Sequence, residues 1–138
     1  MKKIANILVG VDGSENSLRA AETAGELGRK WNATVHLLFI VGPSDYPMLD
    51  GKEVWADQGA KIGANELDKA AAMIKAMGVE TKTDVDFGHP AIKLLKQSEG
   101  MDLIVLGSRG KGAVKGMFTG SVSLRVSQQS KIPVLIVP

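Results

Sequence analysis

The chain has 138 residues, of which 44% are hydrophobic and 23% charged, with 16 glycines, no cysteine and a formal net charge of +2. That length fits one hydrophobic core, and the apolar share is too high for a chain that stays disordered. Lack of cysteine excludes disulfide frameworks, thiolate zinc sites and cysteine nucleophiles, and so small a net charge does not mark a dedicated nucleic-acid binder.

Met1-Lys2-Lys3 and the apolar run behind it have the outline of a secretion signal, but Asn6 interrupts the run, Asp12 ends it and no small-residue cleavage site follows. Ile4 to Val11 is therefore predicted as a first strand, apolar enough to be covered on both faces. Asp12-Gly13-Ser14 breaks it; Ser14 is placed to cap the next helix, with Glu15 in its first turn. Leu18, Ala21, Ala24, Glu26, Leu27 and Trp31 give that helix a mostly apolar stripe, and Asn32 stops it. Thr34 to Val41 is the second strand. Gly42 to Gly51 carries Pro43 and Pro47 and is predicted as a loop. A long helix follows from about Val54 to Met77, with Trp55, Ile62, Leu67, Ala70, Ala71 and Ile74 near helical spacing and Gly78 as its stop.

Val79, Thr81, Thr83, Val85 and Phe87 alternate with Glu80, Lys82, Asp84 and Asp86, a period of two that describes a strand with one wet face at a sheet edge. Pro90 suits the first turn of a helix running to about Ser98. Leu103 to Leu106, preceded by Asp102, is a short buried strand. After a glycine-rich stretch come a helix from about Ser121 to Gln129 and a last strand from Pro133 to Val137. No apolar run reaches membrane-spanning length. Four strand–helix units and a final strand predict a doubly wound α/β fold: a five-stranded parallel sheet with helices on both faces, in one domain over residues 1–138. With the alternating strand at one flank, right-handed crossovers lead to the order 3-2-1-4-5. That order reverses between the first and fourth strands, so Gly10 to Ser14 and Leu106 to Gly110 should share the crevice where such sheets bind ligands.

From Gly107 the chain reads GSRGKGAVKGMFTGS, between a strand and a helix. Glycines there let the backbone pass close to a phosphate, and the following helix start adds N–H donors and the positive end of its dipole. Ser121 and Ser123 offer hydroxyls, and Arg109, Lys111 and Lys115 offer charge or simply form a solvated basic face. Two common templates fail. Ala113 and Val114 occupy the Lys and Ser/Thr places of a Walker A loop, and Gly116 falls one residue late for G-x-G-x-x-G. The spacing that fits is G-x2-G-x9-G-[ST], filled by Gly107, Gly110, Gly120 and Ser121.

This spacing resembles the ATP-binding branch of the universal stress protein family. The likeness runs through the whole chain: Val11-Asp-Gly-Ser14, Gly88-x-Pro90-Ala91, Asp102-Leu-Ile-Val-Leu-Gly107 and Pro133-Val-Leu-Ile-Val137. The resemblance implies a Rossmann-like fold and carries family roles to matching positions. Val11 and Asp12 would lie on the ribose and adenine side, though an Asp-Gly pair is also an ordinary turn. Val41 would touch adenine, Leu106 and Gly107 would face the nucleotide, and Arg109, Gly110, Gly120, Ser121, Val122 and Ser123 would surround phosphate and ribose.

His36 is expected to be structural and His89 a surface or cap residue; the pair lacks ligand spacing, so no metal site is expected beyond Mg2+ arriving on ATP. Met73 and Met77 are expected in helix packing. No nucleophile–base–orienter set and no G-x-S-x-G elbow is present, so no catalytic residue is assigned. Val134 to Val137 would be a flat apolar edge without a charged guard, and pairing with a second copy would cover it. The expectation is a cytoplasmic ATP-binding regulatory or stress-response protein, a homodimer through residues 133–137. It would act through nucleotide occupancy on a regulatory protein partner, with no nucleic acid or membrane involved. The alternatives are a slow ATP hydrolase or adenylyl-transferring enzyme on the same scaffold, or an interaction protein that binds no nucleotide.

Overall fold

The first strand, β1 (Asn6–Val11), shows why the sheet is parallel and covered on both faces. Successive side chains of a strand point to opposite sides. Ile7, Val9 and Val11 enter one core, Leu8 enters another, and all four are buried. The computed structural model describes residues 2–42, 52–110 and 120–138, the side chains of 52–56 excepted. The expected loop at Pro43 and Pro47, the Trp55 side chain, and Lys111 and Lys115 therefore lie outside the described residues.

β1 is followed by α1 (Glu15–Trp31), β2 (Thr34–Val41), α2 (Lys52–Lys75), β3 (Thr81–Phe87), α3 (Pro90–Gln97), β4 (Leu103–Gly107), α4 (Ser121–Gln129) and β5 (Val134–Val137). The strands form one sheet in the order β3-β2-β1-β4-β5, every neighbouring pair parallel. In register, Val11 lies beside Phe39 of β2, Val9 beside Val105 of β4, and Gly107 beside Val137 of β5. Helices α1 and α2 close the face carrying Val9, Val35, Leu37 and Val105; α3 and α4 close the face carrying Leu8, Leu38, Ile104 and Leu106. The fold class and strand order are those expected from the sequence.

Two element ends differ from expectation where other hydrogen bonds replace the regular pattern. β1 begins at Asn6 rather than Ile4 because Asp102 Oδ2 accepts the N–H groups of Ala5 and Asn6, each at 2.9 Å. These two bonds hold the Asp102 carboxyl below its usual range. α2 ends at Lys75, two residues early, as Met77 N–H and Gly78 N–H bond back three residues to Ile74 and Lys75 in a tightened last turn. β3 is the edge strand expected, begun at Thr81 rather than Val79, and its inner side is wetter: Val85, like Val79 just before the strand, reaches the α1–α2 core, while Thr83 and Phe87 are exposed. Helix cover runs out at the edge of the sheet. Met73 and Met77 pack against that core, and His36 Nε2 meets Asn6 Oδ1 at 2.9 Å.

The larger correction concerns α1. Leu18 and Trp31, placed on its apolar stripe by spacing, are 43% and 38% exposed. The buried face is Ser17, Ala20, Ala21, Ala24, Gly25 and Gly28. The helix lies so near the sheet that only small residues fit beneath it: a Cβ on Gly28 would sit 3.0 Å from Val79 Cγ1 and 3.1 Å from Val35 Cγ2.

Candidate functional site

β1 and β4 are neighbours whose following connections leave toward opposite faces of the sheet, so their carboxyl ends frame a crevice. On the β1 side, Asp12 Oδ1 accepts the Ser14 N–H at 2.9 Å, folding the chain back at Gly13, whose φ of +85° favours glycine. Ser14 Oγ then caps α1 by accepting the Ser17 N–H at 3.1 Å. Ser17 Oγ donates to the Ser14 carbonyl and lies 3.3 Å from the Asp12 N–H, so the turn is braced from inside the helix.

On the β4 side, the turn Gly107–Gly110 packs directly on this structure. A Cβ on Gly107 would sit 2.8 Å from the Asn16 carbonyl carbon, and one on Gly110 would run into Asp12 Oδ2. Ser108, buried between them, is a junction. Its N–H donates to Val137 O at 2.7 Å, and its Oγ accepts from Asn16 Nδ2 at 3.1 Å. Its carbonyl accepts the Gly120 N–H and the Ser123 hydroxyl. The two ends of the glycine-rich stretch are thus held together at one carbonyl. α4 begins there with Gly120 as its N-cap and no capping side chain, so the first-turn N–H groups of Ser121 and Val122 are not taken up by a cap.

The structure therefore gathers Asp12, Gly107, Arg109, Gly110, Gly120, Ser121, Val122 and Ser123 around one crevice. Their side chains are not equally available. Val11 lies in the α1–α2 core, Leu106 in the α3–α4 core and Val122 against the latter, so these three present backbone. Ser123 is 3% exposed, with its hydroxyl on the carbonyls of Ser108 and Gly120. Arg109 is the basic side chain of this turn among the described residues. Val41 ends β2, one strand away from Asp12, fully buried where the α2 backbone at Gly59 comes too close to admit a Cβ. Its carbonyl accepts the Gly88 N–H.

Glu66 reaches the rim from α2, its carboxyl carbon 3.5 Å from where a Cβ on Gly13 would stand, and pairs with Lys69 at 3.4 Å. Sequence reading missed Glu66, Asn16 and Ser108. The first two are ordinary polar positions of helices, and nothing local reveals that Asn16 meets a serine 92 residues later. Among the described residues no cluster of three or more His, Cys, Asp or Glu side chains is arranged to hold a metal ion, and no helix is long and apolar enough to cross a membrane. A separate cleft of about 120 Å³ between β2, β3 and the α3 end is lined by His36, Leu38, Lys82, Asp84, Gln97 and Met101, away from the strand carboxyl ends.

The pattern describing the universal stress protein family matches residues 3–138. The chain is 34% identical over 147 residues to universal stress protein YxiE of Bacillus subtilis, covering 95% of this chain and 97% of that one. Its fold matches universal stress protein UspA from Lactobacillus plantarum with a TM-score of 0.89 over the full length of both chains, at 22% identity. A universal stress protein crystallised in complex with cAMP matches with a TM-score of 0.78 at 29% identity, covering 99% of each chain.

Proposed function

This chain belongs to the universal stress protein family, and from that premise we propose that it binds an adenine nucleotide, ATP, in the crevice between Asp12 and Gly120, and acts as a regulatory protein rather than through turnover. One observation carries the proposal. Gly120 has φ −74° and ψ 162°, a backbone any residue adopts, and among the described residues a Cβ there would meet nothing nearer than the Arg109 Cα at 3.4 Å. The packing of the described residues gives no reason for glycine at the start of α4, whereas a phosphate resting on the first-turn N–H groups does. The family relative crystallised with cAMP supports an adenine ring as the common element.

In this arrangement the backbone of Gly107, Gly110, Gly120, Ser121, Val122 and Ser123 and the Arg109 guanidinium hold the phosphates. Asp12 and the backbone of Val11 and Leu106 flank the ribose, and the backbone of Val41 reaches the adenine. Mg2+ enters on the phosphates it neutralises. The occupied form works in the cytoplasm, as a homodimer joined through residues 133–137, on a regulatory protein partner. β5 is an edge strand with Leu135 38% exposed, the kind of edge that pairing covers.

The purified protein should release one adenine nucleotide per chain on acid denaturation, identified by mass, and Gly120→Val should release none. Absence of any adenine nucleotide together with no calorimetric signal for added ATP overturns the proposal. A resident cAMP would keep the site and change the ligand. A multiple-turnover assay on the same sample should show no more than slow ATP hydrolysis, and light scattering at high concentration should give twice the chain mass.

A further inference from the structure

The turn that enters the glycine-rich stretch is held by a closed ring of contacts through three elements. Ser108 N–H donates to Val137 O at 2.7 Å. The next residue, Pro138, accepts at its backbone oxygen from Arg19 Nε at 2.9 Å. Arg19 Nη2 donates to Asn16 Oδ1 at 3.1 Å, and Asn16 Nδ2 returns to Ser108 Oγ at 3.1 Å. A guanidinium has donors only, so it fixes which end of the Asn16 amide faces it. The oxygen must turn to Arg19, which leaves the NH2 for Ser108. Asn16 touches the turn a second time, because its carbonyl group is what excludes a Cβ at Gly107.

We propose that Asn16, held in orientation by Arg19, is a positioning residue for the phosphate end of this site. It sets Ser108, and Ser108 in turn holds both Gly120 and Ser123 through its carbonyl. Neither Asn16 nor Arg19 is among the residues proposed to touch the nucleotide. Their effect passes through the separation between the Gly107–Gly110 turn and the start of α4, the gap a phosphate must fit. The exposed ion pair of Arg19 with Glu15, at 4.0 Å, contributes little by comparison. This inference rests on the nucleotide reading above for its ligand, but the ring itself does not.

The test uses the full chain with Asn16→Ala and, at an exposed helix position that any side chain tolerates, Arg19→Ala. Both should weaken ATP binding about tenfold by calorimetry, the size of one lost hydrogen bond to a charged group, while adenosine competes as in the parent. The double variant should bind like either single one, because one broken link opens the ring. Arg19→Lys should not restore binding, since an ammonium does not span Pro138 O and Asn16 Oδ1 in one plane. ATP affinity unchanged in both variants, or ATP and adenosine weakened together, overturns the inference. If the parent binds no ATP, the nucleotide reading fails and hydrogen exchange decides the ring. The Ser108 and Gly120 amides should then exchange about tenfold faster in Asn16→Ala, with β2 amides unchanged; equal exchange overturns it.

Discussion

Replacing glycines one at a time separates what the fold needs from what a ligand needs. At Gly107 a methyl group would press on the Asn16 backbone, which cannot move without shifting α1. Gly107→Ala should therefore destabilise the protein by about 1–3 kcal/mol in urea unfolding, the usual range for overpacking. At Gly120 the same methyl group meets only ordinary contacts among the described residues. Gly120→Ala should leave stability within about 0.5 kcal/mol, or raise it slightly by restricting the unfolded chain, while ATP binding weakens. The sequence shows these glycines as equals in one spacing. Their different burdens depend on Asn16 beside Gly107 and Arg109 beside Gly120, contacts that exist only once the sheet has formed.

Helix α1 is the element where periodicity misled. Spacing ranks residues by hydrophobicity, so Leu18 and Trp31 outweighed alanine and glycine. Yet the distance of a helix from its sheet decides which size of side chain can go beneath it. Ala24, fully buried under the helix, is the sensitive position: Ala24→Leu should lose about 1–3 kcal/mol. Leu18→Ser, at a 43% exposed site, should change urea stability by no more than about 0.5 kcal/mol. The helix ends were legible for a different reason. Ser14, Asn32 and Pro90 act through their own backbone and near neighbours, and each sits where local rules place it: N-cap, left-handed C-cap at φ 55° and first helical position.

At the scale of the molecule, the topology was readable because the alternation of strands and helices and the handedness of crossovers leave few arrangements. The crevice followed from that order. What braces the two ends of β1 was not readable: Asn16 to Ser108 beside the crevice and Asn6 to Asp102 at the strand's start join residues 92 and 96 apart. Asp102 and His36, both bonded to Asn6, should appear in the pH dependence of stability. Asp102 is held below its ordinary 3.8, first by the Ala5 and then by the Asn6 N–H, so it stabilises the fold above about pH 4. That contribution fades as pH falls through its folded value, so Asp102→Asn should lower the thermal midpoint at pH 7 and converge with the parent in acid. His36 is also lowered from 6.5, chiefly by burial and then by Lys82, with Glu80 opposing. Its neutral ring is favoured in the folded state, so stability is full above about pH 6.5 and declines below it. His36→Gln should flatten the midpoint between pH 7.5 and 5.5.

The Ser108 carbonyl, which receives both the Gly120 N–H and the Ser123 hydroxyl, has a consequence in chain statistics. It ties the turn Gly107–Gly110 to the start of α4 within the protein's own hydrogen bonding. The entropy of bringing turn and helix together is thus spent on folding and does not count against the ligand. Closure entropy grows only with the logarithm of length, about 0.6 kcal/mol for each doubling. A few residues inserted between Gly110 and Gly120 should therefore leave the clamp almost as stable as before in urea unfolding.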